Sequence, residues 1–215
     1  MVSAQLHLVR HGEVFNPQRV LYGRLPGFGL SDLGREMAAA AADDLVARGR
    51  TVAALYSSPL ERTRQSAEPI SRAFDLEPVI DERLIEPTNR FEGSRLRGAG
   101  GALRNPANWP LLVNPWRPSW GEPFTSIARR MIAAMTDAAS ASDSDGDLVF
   151  VSHQLPIWMA HRSIVGARLA HDPRQRRCAL SSITSFELQN GRLHEVGYAD
   201  PAARLGAQAT DLGAV

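Results

Sequence analysis

The sequence predicts a three-layer α/β domain, with a mainly parallel sheet, an antiparallel edge strand, helices on both faces and one long insertion. Three observations lead there. Short apolar runs of strand length alternate with segments of helical apolar spacing, in the order β-α-β-α-β-(loop)-α-β-α-β-β, which is the pattern of strands joined by crossover helices. Three of the apolar runs are followed at once by polar residues, Arg10-His11, Ser57-Ser58 and Ser152-His153. In open sheets of this kind, ligands bind beyond the carboxyl ends of the strands. Finally, Asn190-Gly191 sits between two apolar runs as a hairpin signal, supplying the antiparallel edge.

Leu6–Val9 reads as a buried first strand. Ser31 is an N-cap for a helix to about Arg50, whose Leu33, Met37, Ala41, Leu45 and Val46 share one face, with Gly49 as its stop. Val52–Tyr56 is the second strand. Ser58-Pro59 reads as the start of a helix to about Phe74, since proline in a first turn lacks only an N–H that has no partner there, and Pro69 predicts an irregularity inside it. Pro78–Ile80 is a short third strand. Phe124, Ile127, Ala128, Met131, Ile132 and Met135 follow helical spacing, with both methionines expected in the core. Leu148–Val151 is a strand, a helix follows to about Val165, and Ile183–Leu188 and Leu193–Val196 form the hairpin.

From about Ser94 to Pro123 the periodicity vanishes. This stretch carries many Gly and Pro, with Trp109, Trp116 and Trp120 and the arginines Arg95, Arg97, Arg104 and Arg117. A loop of this length inside a domain is commonly functional, and three tryptophans argue against a linker. Residues 1–198 read as one domain with this insertion at about 94–122, and 199–215 as a flexible tail.

Composition narrows the chemistry. All 24 basic residues are Arg and none is Lys. That excludes a Schiff-base lysine, a P-loop of the G-x-x-x-x-G-K-[ST] type and a protein kinase. Every basic contact is made by a guanidinium, whose planar fork suits phosphate and carboxylate. A net charge of +1 gives no bulk field for nucleic acid or an anionic membrane. The single cysteine, Cys178, excludes an internal disulfide and a Cys-based zinc site. The N-terminus lacks signal-peptide character, and no apolar run nears the roughly 18 residues of a membrane span. A cytoplasmic protein is expected.

His11 and His153 lie just past two strand ends, Arg10 accompanies the first, and Arg62 follows a third strand end. Two imidazoles and two guanidiniums around one point make a phosphate pocket. A neutral imidazole is a nucleophile toward phosphorus, and neighbouring Arg charges disfavour the imidazolium. The departing alkoxide needs a proton, for which Glu82, Glu86 and Glu92 are the candidates. His7, His161, His171 and His194 read as structural. With no H-x-x-H or H-E-x-x-H pair, no metal is expected.

Leu8-Val9-Arg10-His11-Gly12-Glu13, Ser57-Ser58-Pro59-Leu60-x-Arg62, Arg83-Leu84-x-Glu86 and Val151-Ser152-His153, in that order, resemble the histidine phosphatase superfamily, which includes cofactor-dependent phosphoglycerate mutases and many phosphatases. The resemblance covers about residues 5–160. It implies a phosphoglycerate mutase-like fold in which His11 becomes phosphohistidine, and Arg10, Arg62 and His153 hold the phosphate. Glu86 would donate the proton, and Asn16 would contact the phosphate. Glu13 would orient the site. Three positions depart from the family pattern. Gln154 replaces a glycine and would narrow the pocket or touch substrate. Phe91-Glu92-Gly93 sits one residue closer to the acid. Gly121-Glu122-Pro123 lacks a hydroxyl. Arg neighbours would keep Glu86 ionised until phosphate binding and burial under the insertion raise its pKa.

The expected activity is a metal-independent, cofactor-free phosphomonoesterase acting through phosphohistidine on a small phosphorylated metabolite, releasing inorganic phosphate. A phosphoglycerate mutase reaction is the alternative, less favoured because such mutases are longer. A non-catalytic phosphate-binding module is the third reading, and a homodimer is compatible with each. In the insertion, Arg95, Arg97 and Arg104 are the expected substrate contacts, with Gln154. Arg174, Arg176 and Arg177 form a second basic cluster that reads either as a further site or as a solvated face.

Overall fold

The computed structural model describes residues 4–95, 121–142 and 144–211. Arg97, Arg104 and Arg117 and the three tryptophans of the insertion lie outside the described residues. The strands are β1 (Gln5–Arg10), β2 (Val52–Ser57), β3 (Val79–Ile80), β4 (Asp147–Ser152), β5 (Ile183–Gln189) and β6 (Arg192–Ala199). They form a sheet of order β3-β2-β4-β1-β5-β6. The first four run parallel, and β5 and β6 are antiparallel. The helices are α1 (Asp32–Ala47), α2 (Glu61–Phe74), α3 (Phe124–Ala141), α4 (Gln154–Ile164) and a last turn, α5 (Ala203–Gly206).

Side-chain alternation along the strands sorts the helices into two layers. Leu6, Leu8, Leu148, Phe150 and Phe186 face Met131 and Met135 of α3 and Ile157 and Ala160 of α4. Val9, Leu55, Val149, Val151 and Ile183 face Ala41 and Leu45 of α1 and Ala67 and Ile70 of α2. Strand β4 is covered on both sides and buried along its whole length, as a central parallel strand must be. At the amino end of the sheet, Asp147 gathers the Gln5 backbone N–H at 2.8 Å, His7 Nε2 at 3.1 Å and Arg50 Nη2 at 2.6 Å. These neighbours together hold its carboxyl well below the usual range against the opposing effect of burial. His7 is therefore structural. No helix among the described residues is long and apolar enough to cross a membrane.

Three local expectations are corrected. Helix α2 begins at Glu61, not at Ser58-Pro59, because the Ser58 hydroxyl is turned to His153 and is no cap; Leu60 precedes the helix in extended backbone. Pro69 causes no break, since α2 runs unbroken with Ala67 and Ile70 fully buried on the sheet, and packing there outweighs the lost hydrogen bond. The segment after β6 is not a loose tail as far as Asp211. Ala202 is 1% exposed against Met37 and Leu180, with Leu205 and Ala209 packed alongside. Its apolar residues are small and widely spaced, so no local periodicity marks it.

Candidate active site

Strand register brings three tips together. Arg10 pairs with Ser152 and Ser57 with Val151, so His11, Ser58 and His153 leave the sheet side by side. The chain after His11 must be glycine. A Cβ on Gly12 would stand 2.2 Å from the Gly34 carbonyl oxygen.

His11 is buried, and its Nδ1 lies 2.8 Å from the Gly12 carbonyl oxygen. A carbonyl only accepts, so Nδ1 carries the proton and Nε2 keeps its lone pair. Burial holds the imidazole well below its ordinary pKa, and the Arg62 and Arg10 charges add to that. The His153 ring stands 5.2 Å from His11, edge to face. Its Nε2 meets Ser58 Oγ at 2.8 Å. It too is held neutral, by burial first and by Arg62 next.

Glu86 is brought in by the far end of β2. The Asp81 N–H donates to the Ser57 carbonyl at 3.0 Å, a single 3-10 turn over Glu82–Leu84 follows, and Ser152 Oγ donates to the Leu84 carbonyl at 2.7 Å. Glu86 Oε2 then lies 3.5 Å from His153 Nδ1, beyond hydrogen-bond reach but in contact. Burial pushes the carboxyl up to about 7 although Arg62, Arg10, Arg176 and Arg130 all pull it down. Burial raising this carboxyl and the arginines opposing it are both in the expected direction. Glu82 is exposed on its turn, and Glu92 accepts the Asn89 N–H at 3.2 Å. Of the three candidate acids, Glu86 is the one beside the histidines.

Arg10 and Arg62 are each 1% exposed. Arg62 donates to the Gly23 carbonyl at 2.8 Å and lies 4.8 Å over the Tyr22 ring. Arg10 donates to the Cys178 carbonyl at 2.7 Å and gives both terminal nitrogens to Asp211. Arg10 Nε, Arg62 Nε and His153 Nδ1 are buried with no hydrogen-bond partner. Buried polar nitrogens are normally satisfied, so these three retain hydrogen-bonding capacity within the site.

Other expected residues fall elsewhere. Asn16 closes its own loop, with Nδ2 donating to the Val20 carbonyl at 2.7 Å and Oδ1 accepting the Val20 N–H at 3.2 Å. The structure does not join it to the cluster, because its amide is committed locally. Arg95 is exposed and donates to the Gln18 carbonyl at 3.0 Å. Glu13 accepts from Ser31 Oγ at 2.6 Å and from the Thr210 N–H at 2.6 Å. Gln154 donates to the Cys178 carbonyl at 3.3 Å and accepts from Arg176 at 3.1 Å. The basic cluster divides: Arg174 pairs with Asp172 and Arg177 with Glu195 at the surface, while Arg176 turns inward. The sequence carries no signal that singles out Asp211, Tyr22 or the Ser58 hydroxyl as part of this site. Among the described residues no group of three His, Cys, Asp or Glu could hold a metal ion.

Known proteins resemble this chain along most of its length. The model of the histidine phosphatase superfamily (branch 1) matches residues 6–201. An uncharacterized protein of Mycobacterium tuberculosis, Rv0525, is 49% identical over 201 residues, covering 94% of this chain and 98% of that one. A probable phosphoglycerate mutase, GpmB, of Yersinia pestis is 29% identical over 186 residues, 83% of this chain and 84% of that one. Among solved structures, a mycobacterial glucosyl-3-phosphoglycerate phosphatase in complex with VO3 superposes with a TM-score of 0.74 at 24% identity, covering 90% of this chain and 98% of that one.

Proposed function

The chain belongs to the histidine phosphatase superfamily, branch 1, and from that premise we propose that it is a phosphomonoester hydrolase working through a phosphohistidine on His11. One observation carries the reading. Two neutral, buried imidazoles lie 5.2 Å apart between two buried guanidiniums, with a carboxyl of raised pKa 3.5 Å from the second ring.

The lone pair of His11 Nε2 attacks phosphorus while Arg10, Arg62 and His153 hold the oxygens and stabilise their charge. The P–O bond to the alcohol breaks, and the departing alkoxide takes the proton of Glu86. Water then attacks the phosphohistidine and gives a proton to the Glu86 carboxylate. Inorganic phosphate leaves, and His11 and Glu86 return to their starting states. No step needs a metal or cofactor. A small phosphorylated metabolite is the proposed substrate. Likeness to the Yersinia pestis protein keeps mutase transfer as the second reading. There the phosphoryl group returns to another hydroxyl.

Phosphate release over a panel of phosphorylated metabolites, in EDTA and with His11→Ala as control, tests the proposal. Release is expected from the intact chain with EDTA present and from none of the panel with His11→Ala. Isomerised 3-phosphoglycerate in the presence of 2,3-bisphosphoglycerate, without phosphate release, would favour the mutase.

A further inference from the structure

Ser58 stands where β2 and β4 end side by side, and three hydrogen bonds fix its backbone. Its N–H donates to the Val151 carbonyl at 3.0 Å, and its own carbonyl accepts from Ser57 Oγ at 3.0 Å and from Thr63 Oγ1 at 2.9 Å. The residue is 0% exposed. Among the described residues its hydroxyl meets one polar group, His153 Nε2, at 2.8 Å. His153 is buried to the same degree, and its carbonyl accepts the Ile157 N–H at 3.1 Å at the start of α4. Two buried side chains on fixed backbones therefore face each other alone.

A neutral imidazole carries one ring N–H, and the hydrogen bond at one nitrogen decides which of the two holds it. If Nε2 carried the proton, Ser58 Oγ would accept it, and the hydroxyl's own hydrogen would be buried without an acceptor. Nδ1 would then turn a lone pair toward the site. If Nδ1 carries the proton, the Ser58 hydroxyl donates to Nε2 and nothing on that side is left over. A buried, unsatisfied hydroxyl weighs this balance toward the Nδ1–H form by about tenfold or more. Glu86 does not choose between the two forms, since its Oε2 lies 3.5 Å from Nδ1, outside hydrogen-bond range. Nδ1 is also the nitrogen left without a partner in the cluster. Protonated, it is a donor for a phosphate oxygen; bare, it would repel one.

Building on the hydrolase reading above, we infer that Ser58 is a positioning residue: its hydroxyl, donated to His153 Nε2, holds the imidazole in the Nδ1–H form that binds the phosphoryl oxygens. Ser57, one residue earlier, cannot share this role, since its hydroxyl donates to the Ser58 carbonyl.

The test reads the tautomer directly. Two-bond nitrogen–proton couplings are recorded on protein labelled with the heavy nitrogen isotope in its histidines, and the His153 signals are identified by their loss in His153→Gln. The parent chain is expected to show a protonated Nδ1 and a bare Nε2, both alone and with inorganic phosphate. In Ser58→Ala the Nε2–H form is expected to become populated. Inorganic phosphate, which must then draw the ring back, is expected to bind about fivefold more weakly by calorimetry. A parent ring protonated at Nε2 overturns the assignment and needs no variant. So does a Ser58→Ala chain, folded by its melting curve, that keeps the Nδ1–H form alone or binds phosphate as the parent does. Phosphate release from esters by a parent protonated at Nε2 would remove Ser58 from the role and leave hydrolysis standing. The expected tautomer and phosphate binding, without release from any ester of the panel, would overturn hydrolysis and leave Ser58 in place.

Discussion

The Arg10 guanidinium and the Asp211 carboxylate, 201 residues apart in sequence, join through two parallel hydrogen bonds of 2.6 and 2.7 Å. The first strand's catalytic tip and the last described residue thus close on one another, and the Thr210 N–H bond to Glu13 latches the same segment a second time. Arg10 is buried, whereas Asp211 is 38% exposed.

That pair sets a competition for Arg10. An incoming phosphate has to share the fork with Asp211 or displace it. Asp211→Asn removes the competing charge, so the inhibition constant for inorganic phosphate is expected to fall about fivefold, corresponding to roughly 1 kcal/mol for a partly exposed pair. A rise in that constant would mean that Asp211 aims Arg10 at phosphate instead.

Glu86 makes catalysis depend on pH. As the proton donor it must hold its proton, and its pKa is pushed up to about 7 by burial. With chemistry limiting, kcat/KM is expected to decline above about pH 7 and approach a tenfold fall per pH unit. A profile flat to pH 9 removes Glu86 from the role.

The same burial weighs on the fold. A carboxyl whose folded pKa is raised favours the native state only while protonated. Stability from this group therefore falls as pH rises from 4.5, its unfolded value, and the loss is complete above about 7. At about 1.4 kcal/mol per pH unit the loss has an upper bound near 3 kcal/mol. Glu86→Gln should accordingly melt higher than the parent at pH 8, by a few degrees, while losing nearly all turnover. Equal melting temperatures at pH 8 would contradict the buried-carboxyl account.

Gly34 offers a test of packing against propensity. It lies in the first turn of α1, where alanine is favoured over glycine by roughly 1 kcal/mol on propensity alone. A Cβ there would meet the Glu13 carbonyl oxygen at 2.0 Å. Gly34→Ala is therefore expected to destabilise, by about 2 kcal/mol or more in chemical denaturation, through forced backbone shifts. A stabilised variant would show that α1 can move away from the strand tip freely.

How far the site could be read from sequence follows the range of the interactions. His11, His153 and Arg62 sit next to strand ends or one turn beyond, so apolar periodicity and local order locate them, whereas only the family resemblance separates Glu86 from Glu82 and Glu92. The Ser58 hydroxyl was misread as a helix start because a serine before proline carries the same local signal whether it caps a helix or holds a histidine. Asn16 looked like a phosphate ligand by position, yet its amide is spent on Val20. Arg174, Arg176 and Arg177 are alike in composition, and only tertiary packing tells which one is not paired with an acid. Asp211 meets Arg10 across the whole chain, where no pattern could announce it. The sheet itself, with four parallel strands and an antiparallel pair at one edge, was legible from alternation and the Asn190-Gly191 turn.

The most direct test of the central claim is to trap the covalent intermediate. The protein is mixed with a turned-over phosphomonoester, quenched in base within the first turnover, and read by intact-protein and peptide mass spectrometry. One phosphoryl group is expected on the peptide containing His11, attached at Nε2, lost on mild acid treatment and absent from His11→Ala. Rapid hydrolysis that leaves no adduct when chemistry of the second step is limiting, or an adduct on any other residue, contradicts the account.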